Sequence, residues 1–200
     1  VRVFEYREYT ANDEHENGVS KFHYSSREVN GEQTKPLIIT GDNNPQPNVG
    51  QSYWIQKGTD IDGEAFRDES GSSVSLSANG SIVAIGSIFN NIINDKYNSG
   101  HVRVYQYDGS IWEQLGGDID GEEDGDQSGW SVSLSADGSI VAIGAINNDD
   151  NGNNSGHVRL YEWDGSSWNQ LGGDINGEAA SEQSGNSVSL SSDGSIIAIG

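Results

Sequence analysis

The chain has 200 residues and sets 10 Lys and Arg against 31 Asp and Glu, a net charge of −21. Such a surface repels nucleic acid and anionic membranes and attracts cations and basic partners. With no Cys there are no disulfides, thiolate zinc sites or cysteine nucleophiles, and no apolar run approaches the ~18 residues of a membrane span.

The 17 aromatic residues and the regular alternation of polar loops with Val/Ile/Leu/Ala runs mark a folded chain. "VRVFEY" (1–6) reads as a strand that ends an earlier repeat. Val1 opens in a strand-like pattern and Gly200 closes one, as expected of a stretch from a longer array. Residues 7–53 read as an insertion, too long for a structureless loop. In it "VSKFHYSS" and "KPLIIT" form a β-excursion and "GDNNPQPNVG" a turn-rich return. The insertion holds much of the scarce basic charge, including Arg7, Lys21, Arg27 and Lys35, with His15 and His23.

Residues 54–200 repeat. "DIDGE" starts at Asp60 and again 58 residues later at Asp118, and "DINGE" starts 56 residues after that at Asp174. "SGHVRVYQYDGSIWEQLG" (99–116) returns as "SGHVRLYEWDGSSWNQLG" (155–172). Units therefore start near 58, 116 and 172, the last one truncated. Each reads as four strands. "WSVSLS" alternates Val132 and Leu134 with Ser, a period of two. "ADGS" supplies an Asp-Gly hairpin turn. "IVAIGA" is apolar on both faces and predicts a strand covered on both sides. "GHVRLYEW", a second "DGSS" turn and "WNQLG" complete the unit. Sheets of this size must stack on copies of themselves, and four-stranded sheets repeated radially make a β-propeller. The fold class is all-β, a partial propeller of about three and a half blades of ~57 residues.

"SGWSVSLSADGSIVAIGA" followed by an acidic loop and "SGHVRLYEW" resembles the FG-GAP repeats of integrin α-chain propellers and their bacterial surface relatives. The resemblance covers roughly 54–200 and residues 1–6. It implies a non-catalytic extracellular or cell-surface module for adhesion, binding a protein or other ligand through propeller loops. Calcium-binding members carry a D-x-D-x-D-G-x-x-x-D loop between the first two strands. Here that loop is only "SANGS", "SADGS" and "SSDGS". One Asp or Asn does not gather the ~6–8 oxygens that calcium takes, so Asp137 and Asp193 read as turn residues.

The remaining candidates for a calcium site are the acids after each "DI". Asp60, Asp62, Glu64 and Asp68 form one set, and Asp118, Asp120, Glu122 and Asp126 the other. Residues two apart on extended backbone face the same way, although Gly arrives one place early for an EF-hand. The alternative is a solvated loop between blades. "NNDDNGNNSG" adds Asp149 and Asp150, which read as loop variation. Arg2, Arg103 and Arg159 recur two residues before Phe4, Tyr105 and Tyr161, predicting ring stacking and pairing with a nearby carboxylate. His101 and His157 recur as structural residues outside any H-x-x-x-H arrangement. Trp130, with Ser72 and Asn186 at its equivalent places, either fills the core or stacks on a sugar or partner. Trp54, Trp112 and Trp168 read as packing residues.

A glycan-binding or sialidase-like propeller is the alternative function. "SADGS" approaches the S-x-D-x-G-x-x-W box of sialidases, but its Gly is one place early and no Trp follows at the right distance. Nothing singles out two carboxylates for glycoside hydrolysis, and no nucleophile elbow, phosphate loop or metal-His motif is present.

Overall fold

A computed structural model describes residues 1–8, 24–25, 37–39, 52–91 and 97–200. Most of the predicted insertion, with Lys21, Arg27, Lys35 and its two histidines, lies outside the described residues. The described chain forms two compact units, Arg2–Asp60 and a larger one of Ile61–Gly200 with Val1.

In the smaller unit the strands are β1 (Phe4–Glu8), β2 (Tyr24–Ser25), β3 (Leu37–Ile39) and β4 (Ser52–Gln56), ordered β1-β4-β3-β2. β1 and β4 are antiparallel with Tyr6 opposite Trp54. Their rings meet edge to face at 5.4 Å, a favoured aromatic geometry. The β3–β4 pair is parallel.

The larger unit contains the repeats. Its first sheet is β5 (Ser70–Leu76), β6 (Ile82–Ser87), β7 (His101–Tyr107) and β8 (Trp112–Gln114), with β9 (Ile119–Asp120) added beside β7. Its second is β10 (Ser131–Leu134), β11 (Ile140–Ala145), β12 (His157–Trp163) and β13 (Trp168–Gln170), with β14 (Ile175–Asn176) beside β12. A third begins with β15 (Val188–Leu190) and β16 (Ile197–Ile199). All pairings in these sheets are antiparallel. The larger unit is thus built from antiparallel four-strand blades, as in a partial β-propeller. The fifth short strand escapes the sequence pattern because two residues carry no periodicity.

Side-chain parity explains the stacking. On β11, Ala142 meets one neighbour while Val141 and Ile143 meet the other. Val141 and Ile143 join Ala84, Val102, Val104, Ile119 and Leu134 in one core. Ala142 and Ile140 join Val158, Leu160, Val188, Leu190, Ile197 and Ile199 in the next. The strand is covered on both faces, as its composition predicts.

The serines of the first strands bind the following blade. Ser73 and Ser131 donate to the carbonyls of Gly129 and Gly185, each at 2.7 Å. Ser75 and Ser133 accept from the amides of Leu134 and Leu190, each at 3.0 Å. Gly86 and Gly144 make this approach possible, since a Cβ on either would lie 2.1 Å from the carbonyl oxygen of Gly129 or Gly185.

The "DG" turns are four-residue loops rather than two-residue type I′ turns, because only the Gly, such as Gly138 at φ 78°, has positive φ. The Asp137 carboxylate accepts from the Ser135 hydroxyl at 2.7 Å and from the amide and hydroxyl of Ser139. Asp193 repeats this arrangement. These bonds hold Asp137 below its usual range and Asp193 at about 2, as turn residues rather than cation ligands.

Candidate functional site

The acids after each "DI" do not converge within their own loops. Asp60 accepts from Gln56 at 2.7 Å and from Arg2 at 3.1 Å. Asp62 is exposed. Asp68 and Asp126 are buried and accept from the amides of Asn90 and Asn148 at 3.1 and 3.2 Å. Burial holds Asp126 above the usual carboxylate range. These two acids clamp one loop to the next.

"DIDGE" recurs for reasons of packing. Ile119 is buried in the core. A Cβ on Gly121 or Gly177 would lie 2.1 Å from the carbonyl oxygen of Ser99 or Ser155. Asp60, Asp118 and Asp174 each accept from the glutamine four residues earlier, at 2.6–2.7 Å.

The remaining acids gather around the third strands. His101, Arg103 and Tyr105 alternate along one face of β7, as do His157, Arg159 and Tyr161 along β12. Carboxylates reach them from loops distant in the chain. In the first group Glu64, His101 and Asp118 place one ligand atom each within 4.8 Å of the others. Arg103 closes it, giving Asp118 two bonds at 2.8 Å and pairing with Glu64 as well. His101 Nδ1 lies 3.7 Å from Asp118, and burial keeps its imidazole below its ordinary pKa. Asp120 sits beside this group with its pKa raised by burial and by Asp118.

The second group is Glu122, Asp150, His157 and Asp174, again within 4.8 Å of one another. Here the arginine is turned differently. Arg159 gives one nitrogen to the Asp120 carbonyl at 2.7 Å and another to Glu122 at 3.2 Å, with its guanidinium over the Tyr161 ring at 5.6 Å. His157 is 1% exposed and its Nδ1 has no hydrogen-bond partner. Burial, then the Arg159 charge, holds its pKa down at about 4. Burial and the crowding by Asp174 and Asp150 raise Glu122, against the pull of Arg159. Asp150 is carried into the group by a loop whose base is the buried Asn148, which accepts the Asp150 amide at 3.0 Å.

Both groups contain acidic residues able to hold a metal ion. Glu64, Asp118 and Glu122 come from the sequence-based set. His101, His157, Asp150 and Asp174 do not, because the histidines lack a ligand-like spacing in sequence. The signal that locates them is strand parity: each histidine stands two places before an arginine already expected to meet carboxylates.

Trp130 is 36% exposed and donates to the Asn186 side chain at 3.1 Å, joining equivalent positions of successive units. It does not fill the core, where Trp112 is buried. Trp168 donates to the Leu115 carbonyl at 2.8 Å and packs on Trp163.

No helix among the described residues is long and apolar enough to cross a membrane. No curated protein matches the chain. The family model described as FG-GAP repeat matches residues 119–161, from β9 through most of β12. The second unit of this all-β array is similar to an FG-GAP repeat.

Proposed function

We propose that the chain is a non-catalytic repeat module of an extracellular or cell-surface protein, which binds a protein or glycan ligand through the loops at one end of its blades. The observation that carries this reading is the division of labour along each unit. Strand serines, glycines and aliphatics are consumed by contacts between blades, whereas the loops leading into β10 and joining β11 to β12 present acids and the exposed Trp130 ring. Rigid sheets carrying variable loops are a common basis for recognition. Calcium supports this binding by bracing acidic loops, and adhesion is the biological role the family resemblance favours. The glycan form of the ligand is favoured by the Trp130 ring face.

The test is binding of the immobilised chain to a glycan array and to cell-surface protein extracts, with calcium and with chelator. A panel of fluorogenic glycosides is run alongside. Expected is a bound ligand whose affinity falls at least about tenfold in Trp130→Ala, with no turnover. Release of fluorophore from a glycoside, abolished by substitution of a blade carboxylate, replaces this reading with the sialidase-like one.

A further inference from the structure

We propose that Glu122, Asp150, His157 and Asp174 form a binding site for one divalent transition-metal ion of the Zn²⁺ class. This site is separate from the inter-strand loop in which calcium-binding FG-GAP repeats hold their ion, and it does not depend on whether the blade loops bind a partner.

Four observations converge. The four side chains arrive from separate segments: the loop after β9, the β11–β12 loop, the first residue of β12, and the turn between β13 and β14. Each places a ligand atom within 4.8 Å of the other three. At their centre is an unmet need, since His157 Nδ1 is buried without a hydrogen-bond partner, and such an orphan costs free energy unless something fills the space before it. Nδ1 lies 4.0 Å from Glu122 Oε2. That is too long for a hydrogen bond, yet one ion with ~2.1 Å bonds to nitrogen and oxygen spans it.

Charge supports a dication. Three carboxylates and one arginine leave a net charge of −2 beside a neutral imidazole. Arg159 pairs with Oε1 of Glu122, while Oε2 is the atom facing the histidine. Support from a neighbouring donor is what ligating carboxylates in metal sites commonly have.

The donor set decides the class of ion. Calcium takes six to eight oxygens and has little use for imidazole, whereas imidazole with carboxylates suits Zn²⁺ and its neighbours. The first group supplies the internal control. There Arg103 occupies both carboxylates, so neither is left to an ion alone.

The test is a calorimetric titration of the chelator-stripped 200-residue chain with ZnCl₂, with ¹⁵N-histidine spectra recorded in parallel. One ion should bind per chain, and the His157 Nδ1 resonance should move while the His101 resonances stay. Affinity should fall at least about tenfold in His157→Gln and in Asp150→Asn and remain unchanged in His101→Gln. A tenfold excess of Ca²⁺ should not displace the ion. Asp150 is exposed, so its variant keeps the fold, which circular dichroism verifies. The proposal is overturned by absence of Zn²⁺ binding up to about 1 mM, by binding unaltered in Asp150→Asn, or by displacement with a tenfold excess of Ca²⁺. A stationary His157 resonance, as expected were water alone to fill the space, overturns it equally.

Discussion

The groups around Arg103 and Arg159 occupy equivalent places in successive repeats and share His, Arg, Tyr and two acids. Arg103 grips the Asp of its own blade and the incoming Glu64, neutralising much of its surroundings. Arg159 reaches instead to the Asp120 carbonyl and Glu122. Asp174 then stays in the cluster with Asp150, and His157 is buried with an unpartnered nitrogen. Repetition fixes the scaffold of the site, and the direction taken by one guanidinium decides whether the site closes on itself or keeps room for an ion.

The largest expected effect separates the two groups by loosening one junction. Gly144→Ala drives a Cβ into the Gly185 carbonyl and should cost about 3 kcal/mol, the upper range for overpacking. Amide exchange should rise around Arg159 first and leave the Arg103 blade protected, which hydrogen-exchange mass spectrometry resolves. Equal loosening of both blades would show that the junctions are not independent.

Acid offers the next contrast. His157 is held at about 4 in the fold against 6.5 unfolded, so the unfolded chain binds more protons between those values. The fold therefore loses stability as pH falls from 6.5 to 4, by up to about 3 kcal/mol from this residue. Glu122, Asp150, Asp174 and Arg159 face it, and protonation of the raised Glu122 returns part of that loss near the lower limit. Urea melts without metal should show His157→Gln gaining on the parent chain as pH is lowered through this window. Parallel curves would mean that His157 is not held neutral.

Arg103→Met sharpens the comparison from the other side. It leaves Glu64 and Asp118 without their shared cation and should cost about 2 kcal/mol, measured by urea melts, whereas Glu113→Gln at an exposed position of β8 should cost almost nothing. Smaller still is Asp137→Ala, which removes three turn bonds. It should lower stability by about 1 kcal/mol without altering ion binding in the Arg159 group.

The repeat, the strands and the pairing of inter-blade faces were legible because they are written locally: a period of two, Asp-Gly turns, and Ile-Ala-Gly alternating with Val-Ile. Arg159 stacking on Tyr161 was equally readable from parity. The site was not, because chain proximity and spatial proximity diverge in the acidic loops. Asp118, Glu122 and Asp126 lie within nine residues of sequence, yet Asp118 meets Arg103, Glu122 meets Arg159 and His157, and Asp126 is buried on Asn148. Burial of two histidines, a consequence of blade stacking, carries no signature in their own segments. Trp130 likewise gave no sign that its indole would bond the equivalent position of the next unit.

The contrast between the two groups is tested most directly by anomalous diffraction at the zinc edge from crystals of the chain equilibrated with Zn²⁺. A single peak among Glu122, Asp150, His157 and Asp174, with none beside Arg103, is the predicted result. Peaks of equal height in both groups, or none in either, would contradict it.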